Sequence, residues 1–410
     1  MDVKKQILFV DDEPNILGGL RRMLRAKRHE WDMHFAAGGE QALEILAQAG
    51  QPFDVVLSDM RMPGMDGAAL LRRIMQQYPH MVRIVLSGQA DRNDILYAVG
   101  PIHQYLSKPC DADTLKNALE NALALGSLLP NPSLRQALSQ IETLPSLPSL
   151  YADLLGALKA AEPSANDLAH IVSLDIGMSA KVLQLVNSAF FGLTRHVPGP
   201  GQAVILLGFD TLKVLGLSAE VFSQIDPARL EALSLTGLWD HSLQVSACAH
   251  EIAISQGAHP ATVDYAAMAG LLHDVGKLAL AAILPHQYQA ALAQAASPGL
   301  SLLQAEQAAM GAAHPQAGAY LLGLWGLPRP VVEAVAGHHL PQQHPAPVFN
   351  AAITVYAANA LAHELHGSGS TLDQTCLARL GLDGHIPAWR NLCEQVLKRG
   401  FPYDRHDSLC

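Results

Sequence analysis

The sequence predicts an α/β doubly wound domain followed by an all-α domain, and three observations carry that reading. Residues 5 to about 125 alternate short apolar runs with amphipathic segments, five times over. Wholly apolar runs imply a parallel sheet covered by helices on both faces. From about 150 to 365 strand-like alternation disappears, and amphipathic helical segments with short Gly/Pro breaks replace it. Acids and one lysine gather at the carboxyl ends of the N-terminal strands, where the sites of such sheets lie.

Strands are predicted at 6–11, 32–36, 54–59, 82–87 and 103–106, and helices at 14–27, 39–49, 66–78, 91–99 and 111–126. Prolines in Leu128-Leu-Pro-Asn-Pro132 stop helix propagation and mark a linker. Leu144-Pro-Ser-Leu-Pro148 opens the next domain, His366-Gly-Ser-Gly-Ser370 breaks it, and a helical stretch at 376–399 precedes a polar tail. The divisions are therefore 1–125, 126–140, 141–365 and 366–410.

Composition narrows the function. A net charge of −10, from 27 basic against 37 acidic residues, argues against a phosphate-tracking surface. No basic recognition helix follows the first domain, so direct DNA binding is not expected. Five scattered cysteines with no CxxC read as free cytosolic thiols. No signal-peptide pattern and no membrane-length apolar stretch is evident, so a cytoplasmic protein without membrane contact is expected.

Asp59 ends the third strand just before Met60-Arg-Met-Pro63-Gly64. Asp11 and Asp12 end the first strand, Ser87 the fourth, and Lys108 follows the fifth. Carboxylates held this close repel by roughly 4 kcal/mol per pair at a surface-like dielectric. A divalent cation or an ammonium must offset that, and hard oxygen ligands select Mg²⁺. The Asp59 carboxylate can then attack phosphorus in line, while Lys108 and Ser87 receive the phosphoryl oxygens. A lone strand-end Asp ordinarily caps the following helix; three aspartates, a serine and a lysine at one sheet edge describe a phosphorylation site.

The helical half carries an ordered series of histidines: His241, His273-Asp274, His314 and His338-His339. Any one of the 19 histidines is ordinarily a core or surface residue. Jointly, imidazoles with a carboxylate suit Zn²⁺, Fe or Mn²⁺. An open coordination position could activate water for phosphoester hydrolysis, with Lys277 near the phosphate.

Residues 5–125 resemble the receiver domain of two-component response regulators. The resemblance implies a flavodoxin-like five-stranded fold and a sensor histidine kinase as phosphodonor. It makes Asp59 the phosphoacceptor, gives Mg²⁺ to Asp11, Asp12, Asp59 and the Met60 carbonyl, and makes Ser87 and Lys108 the switch pair with Tyr105 as the output-face aromatic. Residues 141–365 resemble an HDOD domain, a signalling branch of the HD phosphohydrolases. The motifs are Leu144-Pro-Ser-Leu-Pro148, Asp175-Ile-Gly-Met-Ser-Ala-Lys181 through Asn187, Ala203-Val-Ile-Leu-Leu-Gly208, and Glu306, Gly311, His314 and Gly318 before Leu324-Trp-Gly-Leu-Pro328 and His338-His339. Such domains generally lack a full catalytic set and are thought to act through protein interaction.

This chain departs from that pattern in both directions. It keeps His241, His273, Asp274, His314, His338 and His339, which resemble the hydrolase ligands. Asn359 stands where active HD enzymes carry a late aspartate, and the Gly-Tyr-Pro loop of the cyclic-dinucleotide phosphodiesterases is missing. The expectation is a phosphorylation-switched binding module with an unidentified downstream signalling protein as partner, capable of a homodimer. The alternative is a receiver-gated, metal-dependent nucleotide or cyclic-dinucleotide phosphohydrolase.

Overall fold

The computed structural model describes residues 4–88, 101–160, 164–187, 197, 199–209, 211–212, 233–297, 299–339, 349–367 and 372–398. The helix predicted at 91–99 and residues 399–410, which include the polar tail, lie outside these residues. The N-terminal domain is one parallel sheet of β1 (Lys5–Val10), β2 (Trp31–Ala36), β3 (Val55–Asp59), β4 (Val82–Ser87) and β5 (Gln104–Ser107), in the order β2-β1-β3-β4-β5. Helices α1 (Pro14–Met23), α2 (Gly39–Ala47), α3 (Gly67–Gln77) and α4 (Ala112–Leu128) cover it. The all-apolar strands are explained by burial on both faces: Ile7, Leu8, Phe9 and Val10 are each at most 1% exposed. The register places Val10 beside Ser58 and Asp59 beside Leu86, which aligns the strand ends that bear the acids.

Residues 126–140, expected as a linker, are structured. Helix α4 runs past residue 125 to Leu128, and Pro132, compatible with a first helical turn, starts α5 (Pro132–Leu138). Leu134 and Leu138 are buried, so this segment is part of the core. Just after α5, the Ser139 carbonyl accepts from buried Arg83 on β4 (2.8 Å) and from the ring of buried His103 (3.0 Å). His103 Nδ1 accepts the Arg83 amide at 3.1 Å, which leaves Nε2 to carry the proton donated to Ser139. Burial and the Arg83 charge hold the His103 ring neutral, with a pKa well below the ordinary value.

The second domain is helical: α6 (Pro148–Leu158), α7 (Ala165–Ser173), α8 (Ile176–Asn187), α9 (Pro200–Leu207), α10 (Leu235–Ser255), α11 (Pro260–Leu272), α12 (Val275–Ile283), α13 (Pro285–Ala295), α14 (Leu302–Met310), α15 (His314–Leu324), α16 (Arg329–Gly337) and α17 (Ala351–Leu365). Two sequence motifs meet at Asp175. Its carboxylate accepts the Leu147 amide (2.8 Å), the Met178 amide (2.7 Å) and the Ser146 hydroxyl (3.1 Å), fastening the Leu-Pro-Ser-Leu-Pro entry to the start of α8. The C-terminal stretch folds as α18 (Gln374–Arg379) and α19 (Ile386–Lys398), and buried Trp389 and Cys393 pack α19 onto the domain.

One expectation is corrected. Residues Pro260–Ile283, α11 and α12 together, are long and apolar enough to cross a membrane. Within that stretch 78% of the apolar window is buried inside the helical domain, as the central helices of a packed bundle must be.

Candidate functional site

The strand ends of the N-terminal sheet assemble an acidic cup. Asp59 ends β3, Asp11 follows β1, and Lys108 follows β5. The Lys108 ammonium lies 2.8 Å from Asp11 and 2.5 Å from Asp59, bridging the two carboxylates. Asp11 also accepts the Glu13 amide at 2.9 Å, a local turn bond that holds its carboxylate in the cup rather than a helix cap. Burial raises the Asp59 pKa and Lys108 only partly opposes it. Burial works against the Lys108 charge too, but bonds to Asp11 and Asp59 outweigh it and hold that pKa above its usual value. Ser87 Oγ, at the end of β4, is buried and makes no hydrogen bond among the described residues, which leaves it ready for an incoming oxygen. Asp12 lies half-buried beside Asp11.

Two expected members stand differently. The Met60 carbonyl accepts the Gly67 amide at 2.9 Å, so it offers a cation only its remaining lone pair. Tyr105 is 1% exposed, packed inward in the described structure. Gly67 itself is required, because a Cβ there would fall onto the Asp59 carbonyl. Cys110, next to Pro109, has its thiol pushed up to about 11 by burial, which makes it a packed, unreactive group.

The second cluster lies in the helical domain. His273 directly follows α11 and Asp274 directly precedes α12, so the pair sits at a break between two buried helices. Each of His273, Asp274, His314 and His338 is at most 1% exposed. Three rings are oriented from behind. His273 Nδ1 donates to the Gly270 carbonyl, His338 Nδ1 to the Val335 carbonyl and His314 Nδ1 to Glu306, each at 2.7 Å. Such outer partners fix the tautomer and leave the Nε2 lone pairs facing inward. Those atoms converge on Asp274: His273 at 3.3 Å, His314 at 3.4 Å and His338 at 3.6 Å, with His339 Nε2 3.2 Å from His314 Nε2. Ligands bound about 2.0–2.2 Å from one ion lie roughly 3.0–3.5 Å apart, so the spacing matches the edges of a coordination polyhedron.

Buried polar atoms confirm the direction in which these groups point. Among the described residues, His273 Nε2, His338 Nε2 and Asp274 Oδ1 make no hydrogen bond, a cost that a bound cation would remove. Burial, aided by neighbouring charges, keeps His241 near 3 and His339 near 2, and holds His314 and His338 below the usual value. Burial works against the Asp274 charge, yet the Lys277 ammonium 2.6 Å away helps hold it ionised. Neutral imidazoles around one carboxylate form a competent donor set for Zn²⁺, Fe or Mn²⁺. The ligand atoms fall into two groups, Asp274/His314/His338/His339 and His241/His273/Asp274.

All six predicted ligands are thus brought together. Two contributors were not anticipated in their roles. Glu306, singled out only as a motif residue, orients His314. The His363 ring lies 4.4 Å from the His241 ring, tilted against it; its position four residues after Asn359, hence on the same helix face, is the signal that could have found it.

Comparison with known proteins gives two domain matches: a response regulator receiver domain at residues 7–120 and an HDOD domain at residues 144–341. The hydrogenase transcriptional regulatory protein HoxA of Cupriavidus necator is 35% identical over 124 residues, 30% of this chain and 25% of that protein. The DNA-binding transcriptional regulator NtrC of Escherichia coli is 40% identical over 120 residues, 29% of this chain and 24% of that protein. The chain therefore covers about a quarter of each of these relatives. Among solved structures, the MmoQ response regulator of Methylococcus capsulatus is 24% identical, with a TM-score of 0.48, over 60% of this chain and 98% of that one.

Proposed function

We propose, for a chain that joins a response regulator receiver domain to an HDOD domain, that phosphorylation of Asp59 by a sensor histidine kinase or a small phosphodonor switches the HDOD domain's association with a signalling partner. The observation that carries the reading is the Lys108 ammonium bridging Asp11 and Asp59 at the sheet edge. An ammonium shared by two acids is already placed to follow the phosphoryl oxygens, and Mg²⁺ held by Asp11, Asp12 and Asp59 would take over charge neutralisation. Transfer adds about −1.5 to −2 charges. That redraws the pull on Lys108 and Ser87, both at the ends of strands β4 and β5. Arg83 on β4, Gln104 on β5 and His103 just before β5 bond to the rest of the chain. A response regulator needs only a few kcal/mol of such differential to shift its population.

The test is labelling of the full chain with acetyl phosphate and Mg²⁺. Wild type should acquire one phosphoryl group and Asp59→Asn none. Labelling that persists in Asp59→Asn removes the proposed acceptor, and an unlabelled wild type removes the trigger.

The histidine cluster favours a second reading, a metal-dependent phosphohydrolase gated by the receiver. When bound, the ion would supply an activated water, and Lys277 stands beside Asp274 to hold a phosphate. We place this second because Asp274, His273, His314 and His338 are buried by their own helices, as befits a metal held rather than presented. Phosphodiester turnover abolished by His273→Ala would reverse that order.

A further inference from the structure

The structure assigns one ion, not two, to the histidine cluster, with Asn359 closing the second position. This rests on the reading that the cluster holds a metal and adds its stoichiometry. The donors form two groups that share Asp274. The first offers four: Asp274, His314, His338 and His339, with the Nε2 atoms of His314 and His338 made available by the partners of their Nδ1 atoms, and His339 Nε2, 3.2 Å from His314 Nε2, joining them once its proton moves to Nδ1. Four nitrogen and oxygen donors complete a tetrahedral site without help.

The second group offers less. His241 Nε2 lies 2.9 Å from Asn359 Oδ1. Whichever way the amide is turned, that nitrogen is engaged, donating to the oxygen or accepting from the amide nitrogen, and it has no lone pair left for an ion. Asp274 Oδ2 is also held by Lys277 at 2.6 Å. His273 Nε2 is the remaining uncommitted donor of that group.

Charge gives the same answer independently. Among the described residues, the negative groups of the buried cluster are Asp274 and Glu306, and Lys277 contributes one positive charge. One divalent ion leaves the assembly at plus one; a second would leave plus three in a water-poor interior, with no further carboxylate among the described residues to meet it. An aspartate at 359 would supply both the missing ligand and the missing charge. An amide supplies neither, and instead ties His241 down.

The experiment loads the full-length chain separately with Zn²⁺, Mn²⁺ or Fe²⁺, removes excess by desalting, and counts these metals by elemental mass spectrometry, which leaves the receiver's Mg²⁺ outside the count. Wild type is expected to hold one ion per chain. His241→Ala should still hold one, His339→Ala should bind at least tenfold more weakly, and Asn359→Asp should hold two. Two ions in wild type, falling to one in His241→Ala, overturn the inference while leaving metal binding intact. No ion of any kind in wild type overturns the metal reading and the count with it. If Asn359→Asp fails to fold, the contrast between His241→Ala and His339→Ala decides the matter alone: loss in the first and retention in the second would sink it.

Discussion

Gln104 on β5 donates through Nε2 to the carbonyls of Gly323 and Leu324, each at 3.1 Å, and so holds the last turn of α15. Four residues beyond Gln104 stands Lys108 of the acidic cup; at the other end of α15 stands His314 of the histidine cluster. A short strand and one helix therefore join the two sites. Helix ends leave carbonyls without partners, and here the receiver supplies the missing donor. Leu125 of α4 packs at Gly323, where any larger side chain would collide with it.

Replacing Gln104 with Ala strips that donor from a buried interface. Leaving two buried carbonyls short of a partner should cost about 1–2 kcal/mol, measured by urea unfolding of the full chain. The variant should also lose most of any Asp59-dependent change in hydrogen exchange along α15. A loss of less than about 0.5 kcal/mol with unaltered exchange would show that the contact is incidental.

Lys108→Ala removes the cation between Asp11 and Asp59. The lysine is 23% exposed, so the cost is discounted to about 1–2 kcal/mol. Because Mg²⁺ can neutralise the same acids, millimolar Mg²⁺ should raise the melting temperature of the variant more than that of wild type. Equal shifts in the two proteins would mean that Lys108 and the cation do not share a site.

The acidic cup was legible because each member sits at the end of a strand whose boundaries an apolar run declares; Asp59, Asp11 and Lys108 need only a parallel sheet to meet. The histidines were legible as an ordered series, yet their geometry depends on how six helices pack, which periodicity does not reveal. Glu306 was a motif residue without a role, because its partner His314 lies across a turn closed by Gly311 in the left-handed region (φ 74°). The contacts between the halves were invisible for a different reason. Gln104 and His103 look like ordinary residues of a short strand, and only the fold shows that Ser139, Gly323 and Leu324 receive their hydrogen bonds. The prolines near residue 130 suggested a loose connection, but Pro132 in fact initiates a buried helix.

Gly276, two residues after Asp274, marks the closest approach of α12 and α15. A Cβ there would fall onto the His314 carbonyl oxygen and crowd the Gly318 amide at 2.7 Å. Gly276→Ala must push the helices apart, at about 1–3 kcal/mol, and must carry His314 away from Asp274. Thermal unfolding should show the loss, and Zn²⁺ retention should fall together with it. A variant as stable as wild type that retains its ion would refute the tight crossing.

Lys181 on α8 is buried, donating to the Glu142 carbonyl at 2.8 Å with its ammonium 5.8 Å from the Trp325 ring. Burial lowers its pKa from 10.5 to about 7, with Glu142 opposing in part. Between about pH 7 and 10.5 the unfolded chain therefore binds a proton that the folded chain does not. Stability contributed by this site rises with pH across that window, and the full penalty is present below pH 7. Lys181→Met removes the penalty. It should be more stable than wild type by about 1–3 kcal/mol at pH 6.5, an advantage that shrinks by at least about 1 kcal/mol by pH 9. Comparing the two proteins at each pH cancels every other titrating group, so a difference that stays constant from pH 6.5 to 9 would show that Lys181 keeps its charge in the folded state.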